Sequence, residues 1–170
     1  MEFIDHSLNW CKGEIFEAKF ITLFSALILL STLLFWRIGT TPGAKAMIIP
    51  LLVVGLLVGS LGIGMLMSNS KRLKDFEQVY QADAQAFIQA EKTRTDEFMS
   101  WYPITRYIML GIGLLGIGLF VFWATPLGRA IGISLLLIMI GTFVIDHFSE
   151  ERADIYHAKI IEALPSDRLR

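Results

Sequence analysis

Four apolar stretches alternate with polar ones along the 170 residues, and their lengths suit helices that cross a membrane. Phe20 to Trp36 runs 17 residues without a charge, Ala46 to Ser70 runs 25, and Tyr107 to Ala124 runs 18. Ala130 to Ile145 gives 16, or 20 when counted from Pro126 with Arg129 snorkelling to the interface. A hydrocarbon core about 30 Å thick takes roughly 17 to 25 helical residues. The pattern predicts transmembrane helices at about 20–36, 46–70, 107–124 and 126–145. The first run has no basic start and no small-residue cleavage site, so a membrane helix is expected there and not a cleaved leader.

The polar stretches carry helical periodicity of their own. In "KRLKDFEQVYQADAQAFIQAE" Leu73, Phe76, Tyr80 and Phe87 recur on one face; in "SEERADIYHAKIIEAL" Phe148, Ile155, Tyr156 and Ile160 do so more loosely. Each returning helix is therefore expected to run on as an amphipathic extension, over about 71–94 and about 146–164. The N-terminal "KGEIFEAKF" reads as an amphipathic lead into the first helix.

One phrase occurs twice. Phe35-Trp36 is followed by Thr41-Pro42-Gly43-Ala44-Lys45-Ala46, and Phe122-Trp123 by Thr125-Pro126-Leu127-Gly128-Arg129-Ala130. Thr is a good N-cap, Pro at the first helical position gives up no needed hydrogen bond, and the basic residue reaches back to headgroups. Each copy reads as a tight turn between antiparallel helices, three residues longer in the first. The repetition favours duplication over convergence on a common turn chemistry. The expected fold is all-α and membrane-integral: four transmembrane helices as two tandem parallel helical hairpins, with amphipathic cytoplasmic helical extensions. The first unit takes residues 1–98 and the second 99–170, related by an axis along the membrane normal.

Charge supplies the orientation. Twelve of the fifteen Lys and Arg fall on the side of the termini and the central polar stretch; only Arg37, Lys45 and Arg129 fall on the other. The positive-inside rule then places both termini in the cytoplasm of a bacterial-type inner membrane. Every acidic residue and all three histidines share that side. Trp10 with Trp36, and Trp101 with Trp123, bracket the first and third helices as interface anchors. Their separations correspond to about 39 and about 33 Å of helix. Hydrophobic residues make up 54% of the chain, charged residues 18%, and mean hydropathy is +0.57, all consistent with a membrane class. A net charge of −1 points to neither nucleic acid nor an acidic substrate and no nucleic-acid module is marked, while the single Cys11 excludes an intramolecular disulfide or a multi-cysteine zinc site.

Candidate chemistry is sparse. Gly55, Gly59 and Gly62 in the second helix, and Gly111, Gly113, Gly116 and Gly118 in the third, allow close helix approach. Polar groups within the spans are few and uncharged, Thr22, Ser25 and Thr32 sharing one face, and none is an intramembrane charge of the kind on which ion-coupled carriers rely. His147, Glu150, Asp154 and His157 stand at i, i+3, i+7 and i+10, a weak metal-ligand candidate that mixed charge on a solvated helix explains as well. No P-loop, HExxH, GxSxG or CxxC occurs, so no catalytic residue and no cofactor is assigned.

The expected function is that of a non-enzymatic membrane subunit, scaffold or regulator. Its expected partners are the lipid bilayer and other membrane chains, self-association included. A small oligomeric channel or transporter is the alternative, and a metal-binding protein or enzyme on the cytoplasmic face a further one.

Overall fold

The computed structural model describes residues 2–164, of which four long helices take nearly all. They are α1 (Phe3–Ile38), α2 (Pro42–Ala82), α3 (Ala84–Phe122) and α4 (Pro126–Ala163), and no strand occurs among the described residues. Each is long and apolar enough to cross a membrane. At 36 to 41 residues each, they extend about 54 to 62 Å, roughly twice the thickness of a hydrocarbon core. The predicted spans thus occupy one half of each helix, and the amphipathic segments the other.

Capping residues set the turns. Thr41 Oγ1 accepts from the Ala44 amide at 3.2 Å and Thr125 Oγ1 from the Gly128 amide at 3.1 Å, with Pro42 and Pro126 each opening the next helix. The two turns, 39–41 and 123–125, are the same length. The three extra residues of the first copy lengthen α1 past Trp36 instead of loosening its turn, which corrects the expectation. The second turn needs Gly128, because a Cβ there would lie 2.4 Å from the Trp123 carbonyl; the first carries Ala44 at the matching position.

A second correction concerns the central polar stretch. It is not one helix over about 71–94: α2 ends at Ala82, and Asp83 alone makes the turn. Asp83 Oδ1 accepts from the Ala86 amide at 2.9 Å and so caps α3. Phe87 accordingly meets Phe76 and Tyr80 across two helices, with ring centroids 5.0 and 5.6 Å away, and not along one face.

Helix α1 packs along α2, and α3 along α4, while α4 also lies against α1 and α2. Helices α2 and α3 have little contact although one residue joins them. Two cores result. At the polar end Phe3, Trp10, Phe76, Phe87, Tyr156 and Ile160 form an aromatic-rich cluster drawn from all four helices. At the apolar end the core shrinks to Ile28, Leu51 and Val54, with flanking side chains such as Phe24 and Leu137.

Candidate functional site

The densest polar arrangement lies at the polar end, where sequence periodicity alone showed apolar stripes. Arg94 forks onto Glu91, its Nε 2.9 Å from Oε1 and an Nη on Oε2. Glu91 also accepts from the Tyr156 hydroxyl at 2.7 Å, and Ser7 Oγ lies 2.9 Å from that hydroxyl. Trp10 stacks between Tyr156 and Phe98, at 5.5 and 5.6 Å, with the Arg94 guanidinium 4.5 Å over its ring. Burial would pull Arg94 down, yet its bond and charge pairing with Glu91 hold it above its ordinary value. Burial drives the Tyr156 hydroxyl far up, and Glu91 pushes the same way. Through the Tyr156 hydroxyl the cluster ties α1, α3 and α4 together at this level. Cys11, fully buried beside it, has its thiol pushed up to about 12 by burial, which disfavours the nucleophilic thiolate.

One turn nearer the apolar half, Arg152 bridges Glu14 at 3.1 Å and Glu17 at 2.6 Å. Gly13 makes room for it, since a Cβ there would sit 2.9 Å from Arg152 Nε. Burial raises the Glu17 carboxyl against the pull of Arg152. Burial likewise raises Asp146, with Glu150 adding to the effect. Tyr102 lies 2.8 Å from Ser149 Oγ, its hydroxyl pushed up to about 12 by burial.

Because α2 and α3 diverge above Asp83, a cleft of about 440 Å³ opens between them at the boundary of the polar and apolar halves. Its walls include Trp101, Tyr102 and Phe98 from α3, Met65 and Arg72 from α2, and Asp146 from α4. Two of the five charges that line it are committed: Arg94 to Glu91, and Glu14 to Arg152. Three are not. Arg72 bonds only the neutral Asn69 amide oxygen, at 3.1 Å, and neither Glu97 nor Asp146 has an ion-pair partner among the described residues. A second crevice of about 460 Å³, almost wholly apolar, lies between α1 and α4 around Phe20, Phe24, Val144 and Phe148.

The residues singled out from sequence separate into groups. Gly55, Gly59 and Gly62 face α1, where added Cβ atoms would meet Leu29, Ser25 and Thr22 within 2.8 Å. Ser25 Oγ donates to the Gly55 carbonyl across that interface at 2.7 Å. Gly113 and Gly116 face α4, but Gly111 and Gly118 meet nothing within 4 Å. Trp36, Trp101 and Trp123 lie on the surface. Trp10 does not: at 7% exposed it belongs to the aromatic core, so the expected interface anchor is corrected there. The metal candidates do not converge. His157 pairs with Asp96 at 2.8 Å and Glu150 with Arg106 at 2.6 Å, while His147 and Asp154 point into the open. No group of three or more His, Cys, Asp or Glu is placed to hold a metal among the described residues. Of the four residues placed loosely on one face of the last polar stretch, Phe148 and Ile155 are exposed, while Tyr156 and Ile160 are buried.

Comparison with known protein families, with curated proteins and with solved structures finds no match to this chain.

Proposed function

We propose that this is a four-span inner-membrane protein acting as a non-enzymatic subunit or scaffold that packs against other membrane chains, self-association included. In this reading the termini and the Asp83 turn are cytoplasmic, the Thr-Pro turns lie outside, and the two hairpins derive from a duplication. The cytoplasmic aromatic core holds the four helix ends together, leaving the apolar halves free to present surface.

The observation that carries the reading is the uneven cover of the apolar halves. Only 11% of the most apolar stretch of α3 is buried, against 22% to 28% for the other three helices. Gly111 and Gly118, seven residues apart, fall on one side of that helix with open space beyond them. Small residues at such spacing let a second helix approach closely where lipid offers no hydrophobic drive of its own.

Native mass spectrometry and crosslinking of the full chain from lipid-like micelles test this. Oligomers or complexes that Gly111→Leu with Gly118→Leu disperses, while helicity is kept, are the expected result. A lone monomer for the unaltered chain overturns it. Orientation is tested separately, by membrane-impermeant labelling of single cysteines introduced at Thr40 and Gln85 on a Cys11→Ala background. External labelling of Gln85→Cys and not of Thr40→Cys would invert the assignment.

A further inference from the structure

We propose that the cleft between α2 and α3 binds a phosphoethanolamine headgroup, with Arg72 on the phosphate and Asp146 and Glu97 on the primary ammonium. The proposal rests on the membrane reading above, which sets the cleft at headgroup depth.

The argument begins with charge. Once Arg94 is neutralised by Glu91 and Glu14 by Arg152, the cleft retains one cation and two carboxylates without an ionic partner. Asp146 bears the cost of a lone charge at a partly desolvated site, its Oδ2 buried without a hydrogen-bond partner. Burial and Glu150 raise its carboxyl against the pull of Arg106, while the exposed Glu97 adds its charge at the rim. A ligand with one sign of charge relieves only part of this. A phosphate alone would answer Arg72 and be repelled by two carboxylates. An alkylammonium would answer the carboxylates and leave Arg72 with only the Asn69 amide oxygen. A zwitterion carrying phosphate and ammonium together answers all three.

Position selects the source. Met65 lies inside the apolar run of α2 and Arg72 just beyond its end, so the cleft straddles the boundary between the two halves. It opens where the backbones of α2 and α3 separate, so acyl chains could leave along the uncovered face of α3. Exposed Trp101, on the rim, suits the headgroup layer. Choline is the sharp competitor: the aromatic wall of Trp101, Tyr102 and Phe98 would tolerate a quaternary ammonium. Such a group has no N–H to donate, however, so two carboxylates would gain only its diffuse charge.

The test is a native mass-spectrometric titration of the delipidated full chain with phosphatidylethanolamine, phosphatidylcholine and phosphatidylglycerol of identical acyl chains. Retention of phosphatidylethanolamine at about tenfold lower concentration than either competitor is expected, the ratio typical of one charge-assisted hydrogen-bonded contact. Arg72→Gln should weaken retention of all three. Glu97→Gln with Asp146→Asn should abolish the advantage over phosphatidylcholine, and Lys45→Gln at the far turn should change nothing. Equal retention of phosphatidylethanolamine and phosphatidylcholine by the unaltered chain overturns the proposal without any variant having to fold. So does an advantage that survives the double substitution in protein of normal helicity. Free O-phosphoethanolamine, titrated against bound lipid, separates the sources. Displacement means the headgroup suffices, lipid retention without displacement means the bilayer supplies it, and both uphold the chemistry. Flotation with vesicles is run alongside: protein that fails to float sinks the membrane reading and this proposal together, whereas floating protein without lipid preference sinks the headgroup assignment alone.

Discussion

The two halves of this bundle are held together by different physics. At the polar end six aromatic rings, those of Phe3, Trp10, Phe76, Tyr80, Phe87 and Tyr156, pack near Ile160. The Glu91–Arg94 pair closes that core. In the proposed membrane arrangement water surrounds this core and lipid the other end, so burying apolar surface drives its formation. At the apolar end only Ile28, Leu51 and Val54 form a buried cluster, and large side chains such as Leu30, Leu57 and Leu115 face outward. Lipid is as apolar as leucine, so close contact and hydrogen bonds must hold the helices there. Stability and presented surface are thereby assigned to opposite ends of the same four helices.

The largest expected effect tests the first half of that contrast. Trp10→Ala removes a buried ring stacked on two others and leaves the Arg94 guanidinium without its aromatic cover, which should cost about 3 to 5 kcal/mol. Trp36→Ala, at a residue 62% exposed, should cost less than about 0.5 kcal/mol. Thermal unfolding followed by circular dichroism in micelles reads both. Equal losses would mean that the polar-end core does not anchor the fold.

Next in size is a pair of glycines in the apolar half. A Cβ on Gly132 would stand 2.6 Å from the Gly116 carbonyl oxygen and 2.9 Å from the Phe120 amide nitrogen, both backbone atoms that cannot swing aside. Gly132→Ala should therefore prise α3 from α4 at a cost of about 1 to 3 kcal/mol. Gly111→Ala, in open space, should instead stabilise the monomer by roughly 0.5 to 1 kcal/mol through helix propensity. The opposite signs are the check, by melting temperature in micelles that hold the chain monomeric. In gentler micelles that keep complexes, a destabilising Gly111→Ala would mark the neighbouring helix proposed for that face.

Hydroxyls give a finer version. Ser25 donates across the helix interface to Gly55, whereas Ser31 donates to the Leu27 carbonyl of its own helix at 2.9 Å. Ser25→Ala should cost about 0.6 kcal/mol, and no more than about 1.7. Ser31→Ala should leave the melting temperature in place.

The sequence carried the helices and withheld the contacts. Apolar run lengths, Thr-Pro caps and glycine placement depend on near neighbours, so four helices long and apolar enough to cross a membrane could be read from them. The Asp83 turn was missed because Ala82-Asp83-Ala84 contains neither Gly nor Pro, and a continuous apolar stripe from Leu73 to Phe87 disguised the reversal. Trp10 reads as an interface anchor because 26 residues to Trp36 matches a bilayer, while its stacking partners Phe98 and Tyr156 are 88 and 146 residues away. The cleft was illegible for the same reason: Arg72, Glu97 and Asp146 come from three helices, and their lack of partners shows only once Arg94 and Glu14 are seen engaged.

The smallest expected effect is electrostatic and separates the boundary layer from the solvated surface. Burial raises Glu17 and Asp146 above their ordinary values, so between those values and the raised ones the folded state holds protons the unfolded chain has released. Stability from this source falls as pH rises through that window and returns on mild acidification. At Asp96 burial is outweighed by hydrogen bonds from Lys92 and His157, which hold the carboxyl below its ordinary value. Its contribution is present above the ordinary carboxylate value and is lost as pH falls through the depressed one. Each effect should stay below about 1 kcal/mol, because these groups are partly solvated and screened. Melting temperatures followed from pH 7 to about pH 4 should show the unaltered chain gaining on Glu17→Gln with Asp146→Asn, and from there down to about pH 2 losing ground to Asp96→Asn. If both differences stay flat, the boundary carboxylates are as well hydrated as those on the surface. The cleft would then offer an ammonium group no reason to bind.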